Sequence, residues 1–355
     1  MSEVIALETL RRLVDAWIAE GKRVAGPCRA KAAHSPNGRP QPAGEASDDL
    51  IQYDWLSSAE QLILAEFVHP ANSIKQFFFP RHENLYAYQL EGKQIELTPA
   101  DMSATERIIL GVRPCDAATL PILDNIFNWD FADEFFNRRR QATTVVSLAC
   151  SRHDAHCFCT SVGSGPGDTR GSDAMLVELD DGNYEVRCLT DKGRRLFCGN
   201  TTASNRQGTI GQGPSVQFDL AAVGEFLAAG YENAAWQTAS LRCLGCGACA
   251  YTCPTCHCFG IVDEGNSKGG VRARNWDSCQ FVMFTMHASG HNPRADQAAR
   301  QRQRIFHKFQ IYPDKFGELL CTGCGNCSRN CPVHLGVLNV LQSIAATEKA
   351  GENAS

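Results

Sequence analysis

The chain has 355 residues, a hydrophobic fraction of 43% and a formal net charge of −5. This size predicts two or three folded domains, and the acidic balance gives no reason to expect nucleic-acid binding. The N-terminal segment carries charges at Glu3, Glu8, Arg11 and Asp15, unlike a secretory signal, and no eighteen apolar residues run together, so no membrane span is expected. We therefore expect a cytoplasmic protein, whose thiols stay reduced and available to iron.

Helix and strand signals alternate along residues 1–235 and predict an N-terminal α/β domain. The elements predicted in this part are, in chain order, an amphipathic helix at 2–20, a polar loop at 34–48, a hairpin at 85–97, buried strands at 107–112 and 143–148, a second hairpin at 175–189, a polar loop at 198–215 and a helix at 217–235.

Two copies of one cysteine run follow. The first begins at Cys243 and ends at Pro254, and the second begins at Cys321 and ends at Pro332. Each reads C-x2-C-x2-C-x3-C-P, which is the spacing of bacterial ferredoxins that hold [4Fe–4S] clusters. Glycines inside the runs allow the backbone to curl close to the sulfurs, where a Cβ would intrude.

In this pattern three cysteines surround one cluster, and the cysteine before proline usually binds the other cluster of the pair. The predicted ligands of cluster 1 are Cys243, Cys246, Cys249 and Cys331. The predicted ligands of cluster 2 are Cys321, Cys324, Cys327 and Cys253. Zinc ribbons use paired knuckles instead, and disulfide frameworks suit small secreted chains, so both are weaker explanations.

The two runs predict a dicluster ferredoxin-like domain at residues 236–345, split by a helical insert at about 260–315. The insert carries a basic segment with Arg294, Arg300, Arg302, Arg304 and Lys308, which is either a solvated helix face or a surface that docks a partner. A flexible tail is expected at residues 346–355. The fold class predicted for the whole chain is α+β.

Four cysteines of the N-terminal part also follow a pattern. Cys115 and Cys150 come directly after the two predicted buried strands, and Cys157 and Cys159 follow closely. Because sites in open parallel sheets form beyond the carboxyl ends of the strands, these thiols predict a third [4Fe–4S] site. The alternative is that they are small buried apolar residues, as free cysteines often are.

Three further cysteines lie near the first run, namely Cys256, Cys258 and Cys279. We expect them to pack against cluster 1 or 2 and to tune it through contacts with its ligands, as outer-shell groups do. A separate metal site is the less favoured alternative.

Six segments, of which 243–259 and 307–331 include the runs, complete a family pattern. They are residues 77–88, 111–127 (with an Arg-Pro-Cys-Asp motif), 157–166, 243–259, 274–294 (with Trp-Asp-Ser-Cys) and 307–331. Together they resemble the iron–sulfur beta subunit of cytoplasmic NAD(P)-linked [NiFe] hydrogenases, the sulfhydrogenases, a family related to the anaerobic sulfite reductase A subunit. The resemblance implies partners: a diaphorase-type subunit that binds FAD and NAD(P), and the small and large subunits of a [NiFe] hydrogenase.

The sequence thus predicts an electron-transfer subunit of a multi-subunit oxidoreductase with no catalytic residues of its own. It would relay single electrons between the flavin subunit and the hydrogenase module. An electron-transfer subunit of a sulfite reductase or another reductase complex is the alternative within the same fold. Two other classes remain open: a stand-alone iron–sulfur enzyme that binds its own flavin, and a protein with purely structural clusters.

Overall fold

The computed structural model describes residues 2–30, 50–65, 67–102 and 105–352, and it describes residues 345–352 without their side chains. The loop predicted at 34–48 lies outside the described residues. Within the described residues, no helix combines the length and the apolar character that a bilayer span requires.

Twelve strands are formed by the described residues. They are β1 Ser2–Ile5, β2 Arg23–Arg29, β3 Ile51–Trp55, β4 His82–Glu91, β5 Gln94–Pro99, β6 Arg107–Val112, β7 Thr143–Leu148, β8 Ala174–Glu178, β9 Tyr184–Cys188, β10 Thr202–Ser204, β11 Phe259–Asn266 and β12 Gly269–Trp276.

The helices of the described residues alternate with these strands and then dominate the last third of the chain. They are α1 Leu7–Ala19, α2 Lys75–Phe78, α3 Pro114–Ala117, α4 Thr119–Phe127, α5 Glu134–Ala142, α6 Asp191–Phe197, α7 Leu220–Ala229, α8 Ala235–Ser240, α9 Ala248–Tyr251, α10 Gln297–Phe306, α11 Tyr312–Phe316, α12 Asn326–Arg329 and α13 Val337–Glu352.

An eight-stranded mixed sheet forms the N-terminal part, in the order β10-β1-β9-β8-β7-β6-β2-β3. Its centre is parallel, because β2, β6, β7 and β8 pair side by side in one direction. Strands β6 and β7 are almost entirely buried, as expected for parallel strands covered on both faces. Helix α1 packs Leu10, Val14 and Trp17 into the same core.

The parallel pairing of β6 and β7 places their carboxyl ends at the same edge of the sheet. Cys115 lies in the short helix α3 directly after β6, and Cys150 follows β7 after one intervening alanine. The sheet therefore brings together two cysteines that are 35 positions apart in the sequence.

A second sheet has the antiparallel order β11-β12-β4-β5. It joins the hairpin predicted at 85–97 to residues 259–276, which belong to the insert between the cysteine runs. The prediction of a helical insert is therefore wrong for its first part. Strands β11 and β12 are paired without interruption, from Phe259 opposite Trp276 to Asn266 opposite Gly269. The tight turn uses Gly269 at a φ of 155°, a conformation that favours glycine, and the helix begins only at Gln297.

Most other predicted elements agree with the structure to within a few residues. The loop predicted at 198–215 contains the short strand β10, and three boundaries differ. The N-terminal helix begins at Leu7 because Ser2–Ile5 pairs with β9 and β10 instead. The helix predicted at 217–235 is divided into α7 and α8 around Gly230. The last helix continues to Glu352, so most of the tail predicted to be flexible at 346–355 is helical.

Candidate iron–sulfur centres

The two cysteine runs adopt the same backbone conformation. Gly245 and Gly247 of the first run have φ values of 66° and 75°, and Gly323 and Gly325 of the second run have 67° and 77°. In each run the second glycine is the N-cap of a four-residue helix, α9 or α12. Such left-handed positions favour glycine because a Cβ would crowd the backbone. Equivalent turns therefore present the first three cysteines of each run in equivalent ways.

The four predicted ligands of cluster 1 line a single cavity. Cys243, Cys246 and Cys249 of the first run face Cys331 of the second run across it, together with Gln280 and Gln301. The amide of Gln301 donates to Cys243 Sγ at 3.4 Å, and the backbone N–H of Leu335 donates to Cys331 Sγ at 3.1 Å. Sulfurs that accept such donors are suited to carry the negative charge of a thiolate.

The predicted ligands of cluster 2 are grouped more deeply in the protein. Cys253, Cys324 and Cys327 are each less than 9% exposed. The neighbouring thiols Cys253 and Cys327 act electrostatically on both Cys321 and Cys324. Burial raises the pKa of Cys321 to about 12. An isolated thiol here would stay protonated, and iron binding would be needed to deprotonate it.

Buried cations surround these thiols. The ammonium of Lys308 donates to Cys253 Sγ at 3.4 Å and to Thr255 Oγ1 at 3.0 Å. Burial opposes its charge, but the electrostatic effect of the neighbouring Cys253 and Cys256 outweighs burial and raises the pKa of Lys308. Arg304 is only 2% exposed, and none of its three guanidinium nitrogens has a hydrogen-bond partner among the described residues. A buried charge without a partner is costly, so the site fits an anionic group.

The third predicted set also converges. Cys115, Cys150, Cys157 and Cys159 line one cavity with Arg113, and Gly323 and Cys324 of the second run form part of its wall. Burial and then the nearby Cys324 raise the pKa of Cys115 well above its ordinary value. These four thiols therefore lie next to the cluster 2 group.

The loop that carries Cys157 and Cys159 is fixed to the second run. The backbone N–H of Phe158 donates to the carbonyl of Gly323 at 2.9 Å. Arg329 donates to Cys157 Sγ at 3.0 Å and to both carboxylate oxygens of Asp154, at 2.7 and 2.9 Å. Close backbone packing and one charged pair thus hold the third thiol group beside the second run.

A buried acid–base pair stands at the same cavity. His69 Nε2 lies 3.5 Å from Asp116 Oδ2, and both side chains are almost completely buried. Burial lowers the pKa of His69 to about 3 and raises the pKa of Asp116 to about 7. The imidazole is therefore neutral at neutral pH, and the sequence patterns did not indicate this pair.

The three additional cysteines contact other thiols. Cys256 shares a hydrogen bond with the predicted ligand Cys253, and Cys258 shares one with Cys279. The carbonyl of Cys256 accepts a hydrogen bond from Lys75 at 2.8 Å, and Lys75 is only 2% exposed. The sequence predicted that these three cysteines would pack beside the ligands and tune a cluster. The contacts agree with the packing, and the effect on a cluster stays a prediction.

The thiol groups do not fit a single metal ion. Among residues 2–30, 50–65, 67–102 and 105–344, whose side chains the structure describes, no group of three or more His, Cys, Asp or Glu side chains could hold one metal ion. A cubane places its four irons at different corners, each bound by one thiolate, so its ligands stand farther apart. The shared cavities, the hydrogen bonds to sulfur and the unpaired guanidinium of Arg304 therefore fit [4Fe–4S] clusters better than zinc.

The basic segment of the insert is mostly internal. Arg300, Arg304 and Lys308 are each at most 9% exposed, which contradicts both alternatives considered for it, a solvated face and a docking surface. Arg294 and Arg302 are half-buried, and the guanidinium of Arg302 lies 3.8 Å from the centre of the exposed Tyr231 ring. Apolar residues between the charges, such as Ile305 and Phe306, were the available signal that this helix is buried.

Comparison with known proteins agrees with this site. The family described as 4Fe-4S dicluster domain matches residues 242–335. Sulfhydrogenase 2 subunit beta of Pyrococcus furiosus is 26% identical over 310 residues, which cover 84% of this chain and 90% of that protein. No solved structure matches the chain. The resemblance to the sulfhydrogenase beta subunits is thus confirmed, and the chain combines an α+β fold with a C-terminal 4Fe–4S dicluster domain.

Proposed function

We propose that this chain is the electron-transfer subunit of a cytoplasmic multi-subunit oxidoreductase, in which it relays single electrons between an FAD- and NAD(P)-binding subunit and a [NiFe] hydrogenase module. The observation that carries the proposal is the pair of equivalent cysteine turns, each of which lies near the last cysteine of the other run. Similarity to a sulfhydrogenase beta subunit over most of the chain supports the hydrogenase partner.

In this proposal Cys243, Cys246, Cys249 and Cys331 hold cluster 1, and Cys321, Cys324, Cys327 and Cys253 hold cluster 2. Cys115, Cys150, Cys157 and Cys159 hold a third cluster. Bound clusters of this type accept and release one electron at a time. The chain contributes thiolate ligands, N–H donors to sulfur and buried cations that stabilise the negative charge of each centre.

The proximity of the three thiol groups supports a relay rather than isolated structural centres. Cys324 is a predicted ligand of cluster 2 and also part of the wall of the third cavity. Cys249 of the first group and Cys327 of the second both act electrostatically on Arg304. Arg304 thus lies between the first and second thiol groups, and Cys324 lies between the second and third.

Anaerobic purification of the intact complex tests the proposal. Iron and sulfide analysis of this chain, separated from its partners so that their iron is not counted, should give about twelve iron atoms, or about eight if only the dicluster domain binds clusters. EPR signals of the clusters should appear on reduction with dithionite. Mass analysis should identify a flavin subunit and hydrogenase subunits. About four iron atoms would contradict paired clusters, and sulfite reductase subunits in place of hydrogenase subunits would contradict the assigned partner.

A further inference from the structure

One face of helix α10 and of the turn that follows it points toward both cysteine runs. Gln297, Gln301, Arg304 and Lys308 occupy positions i, i+4, i+7 and i+11, which fall on the same side of a helix. The chain passes from α10 into one π-helical turn, His307–Ile311, without interruption. All four side chains end in N–H donors.

The ends of this face contact different runs. Gln297 and Gln301 donate to Cys243 Sγ at 3.2 and 3.4 Å, and Cys243 belongs to the cluster 1 group. Lys308 donates to Cys253 Sγ at 3.4 Å, and Cys253 belongs to the cluster 2 group. The helix therefore spans the space between the two predicted clusters.

The orientation of the first donor is fixed. Arg300 donates to the amide oxygen of Gln297 through Nε and Nη2, at 3.2 and 2.7 Å. This leaves the amide nitrogen of Gln297 directed at Cys243 and at the Gln280 side chain, 2.9 Å away. A buried arginine thus holds the amide in the donor orientation toward sulfur.

Arg304 stands between these two ends. It is buried, and none of its guanidinium nitrogens has a hydrogen-bond partner in the described part of the chain, while cysteines of both runs, Cys249 and Cys327, act electrostatically on it. Since a buried charge without a counter-charge is strongly destabilising, the two cysteine groups that flank Arg304, once they bind clusters, are the source of negative charge available to it.

We propose that Arg304 is the shared cation of the two dicluster-domain clusters, and that this helix face sets their reduction potentials. This inference rests on the proposed function. Each reduction adds one negative charge to a cluster, and a nearby fixed cation stabilises the reduced form more than the oxidised form. Arg304 therefore raises both potentials, Gln301 raises that of cluster 1, and Lys308 raises that of cluster 2.

The test is a redox titration of the purified full chain, monitored by EPR, for the wild type and for one variant at each of positions 301, 304 and 308. Arg304→Gln should move the reduction potentials of both clusters to more negative values. Gln301→Leu should mainly lower the potential of cluster 1, and Lys308→Gln should mainly lower that of cluster 2. Arg304→Lys, which keeps the charge, should restore much of the shift. Arg302→Gln is the matched control on the exterior of the same helix and should move neither.

A shift of one potential only in Arg304→Gln, or no shift, would overturn the proposal, as would an equal shift in Arg302→Gln. If Arg304→Gln fails to retain iron, Arg304→Lys decides: full iron with both potentials near those of the wild type supports the role of charge, and loss of iron here too contradicts it. The iron content of the wild type separates the two hypotheses, because fewer than about eight atoms would contradict the proposed function itself.

Discussion

The first and second cysteine runs share one backbone conformation but lie at different depths. Cys246 of the first run is exposed, and its neighbours Leu241 and Leu244 are 80% and 66% exposed. In the second run, Cys324 and Cys327 are 8% and 7% exposed, and Cys324 lines the cavity of the N-terminal thiol group. The two runs, which look alike in sequence, therefore differ in depth: the first forms an outer thiol group near solvent, and the second forms an inner thiol group next to the N-terminal cysteines.

The strongest test of this comparison asks whether the inner run leads to a further centre. Cys115→Ser should lower the iron content by about four atoms per chain, one cluster, and leave the two dicluster-domain signals intact. Iron and sulfide analysis with EPR measures this. Cys198→Ser, an exposed cysteine away from the three groups, should leave the iron content unchanged. Unchanged iron in Cys115→Ser would refute the N-terminal ligand assignment.

The difference in depth should also appear in the order in which iron is lost. An anaerobic iron chelator should remove the outer cluster first, because its ligand Cys246 faces solvent while Cys324 and Cys327 do not. Iron release, monitored by absorbance, should be biphasic. EPR samples taken during the slow phase should still show one of the two dicluster-domain signals. Simultaneous loss of both signals would contradict the assignment of an outer and an inner centre.

A matched pair of glycines tests the packing of the inner run. Gly245 and Gly323 occupy equivalent positions with φ values of 66° and 67°, so alanine should cost each about 1–2 kcal/mol in backbone strain. At Gly323 a Cβ would also lie 2.5 Å from the backbone of Cys159, whereas at Gly245 it would meet the Gln297 side chain at 3.0 Å. Gly323→Ala should therefore destabilise the protein more, as measured by thermal unfolding. Equal losses of stability in Gly245→Ala and Gly323→Ala would show that the close backbone contact at Gly323 does not contribute to stability.

The smallest effect on stability is expected at the outer surface. Leu244→Asn should change the free energy of unfolding by no more than about 0.5 kcal/mol, since the side chain is mostly in solvent. It should slow electron exchange with the flavin subunit or the hydrogenase module, as measured by stopped-flow absorbance. Leu97→Asn, a similarly exposed leucine on strand β5, is the control. Equal rates in both variants would place partner contact elsewhere.

The features predicted correctly from the sequence are those with local signals. The spacing of each run, the buried strands 107–112 and 143–148 and the hairpin at 85–97 are all periodic or local patterns. The gathering of Cys115 and Cys150 followed from a general property of parallel strands. The cluster ligands themselves remain predictions.

The features that sequence patterns missed depend on tertiary contacts. The charges of Arg304 and Lys308 are typical of a solvated helix, and their burial depends on tertiary partners: Lys308 donates to Cys253 Sγ, to Thr255 Oγ1 and to the carbonyl of Leu320. The insert was predicted to be helical, but its first part forms strands because β12 finds a partner in β4, about 180 positions earlier in the chain. His69 and Asp116 are likewise brought together by the fold across 47 positions.

The four-stranded sheet has a consequence for dividing the protein into fragments. A fragment beginning at residue 236 would keep β11 and β12 but lose β4, leaving the hydrogen-bonding edge of β12 open to solvent and to other chains. It would also lose Lys75, which lies over the Trp276 ring at 3.8 Å, and the Phe79 carbonyl that accepts the indole N–H of Trp276. We therefore expect the isolated cysteine-rich half to aggregate, although its sequence resembles a self-sufficient ferredoxin.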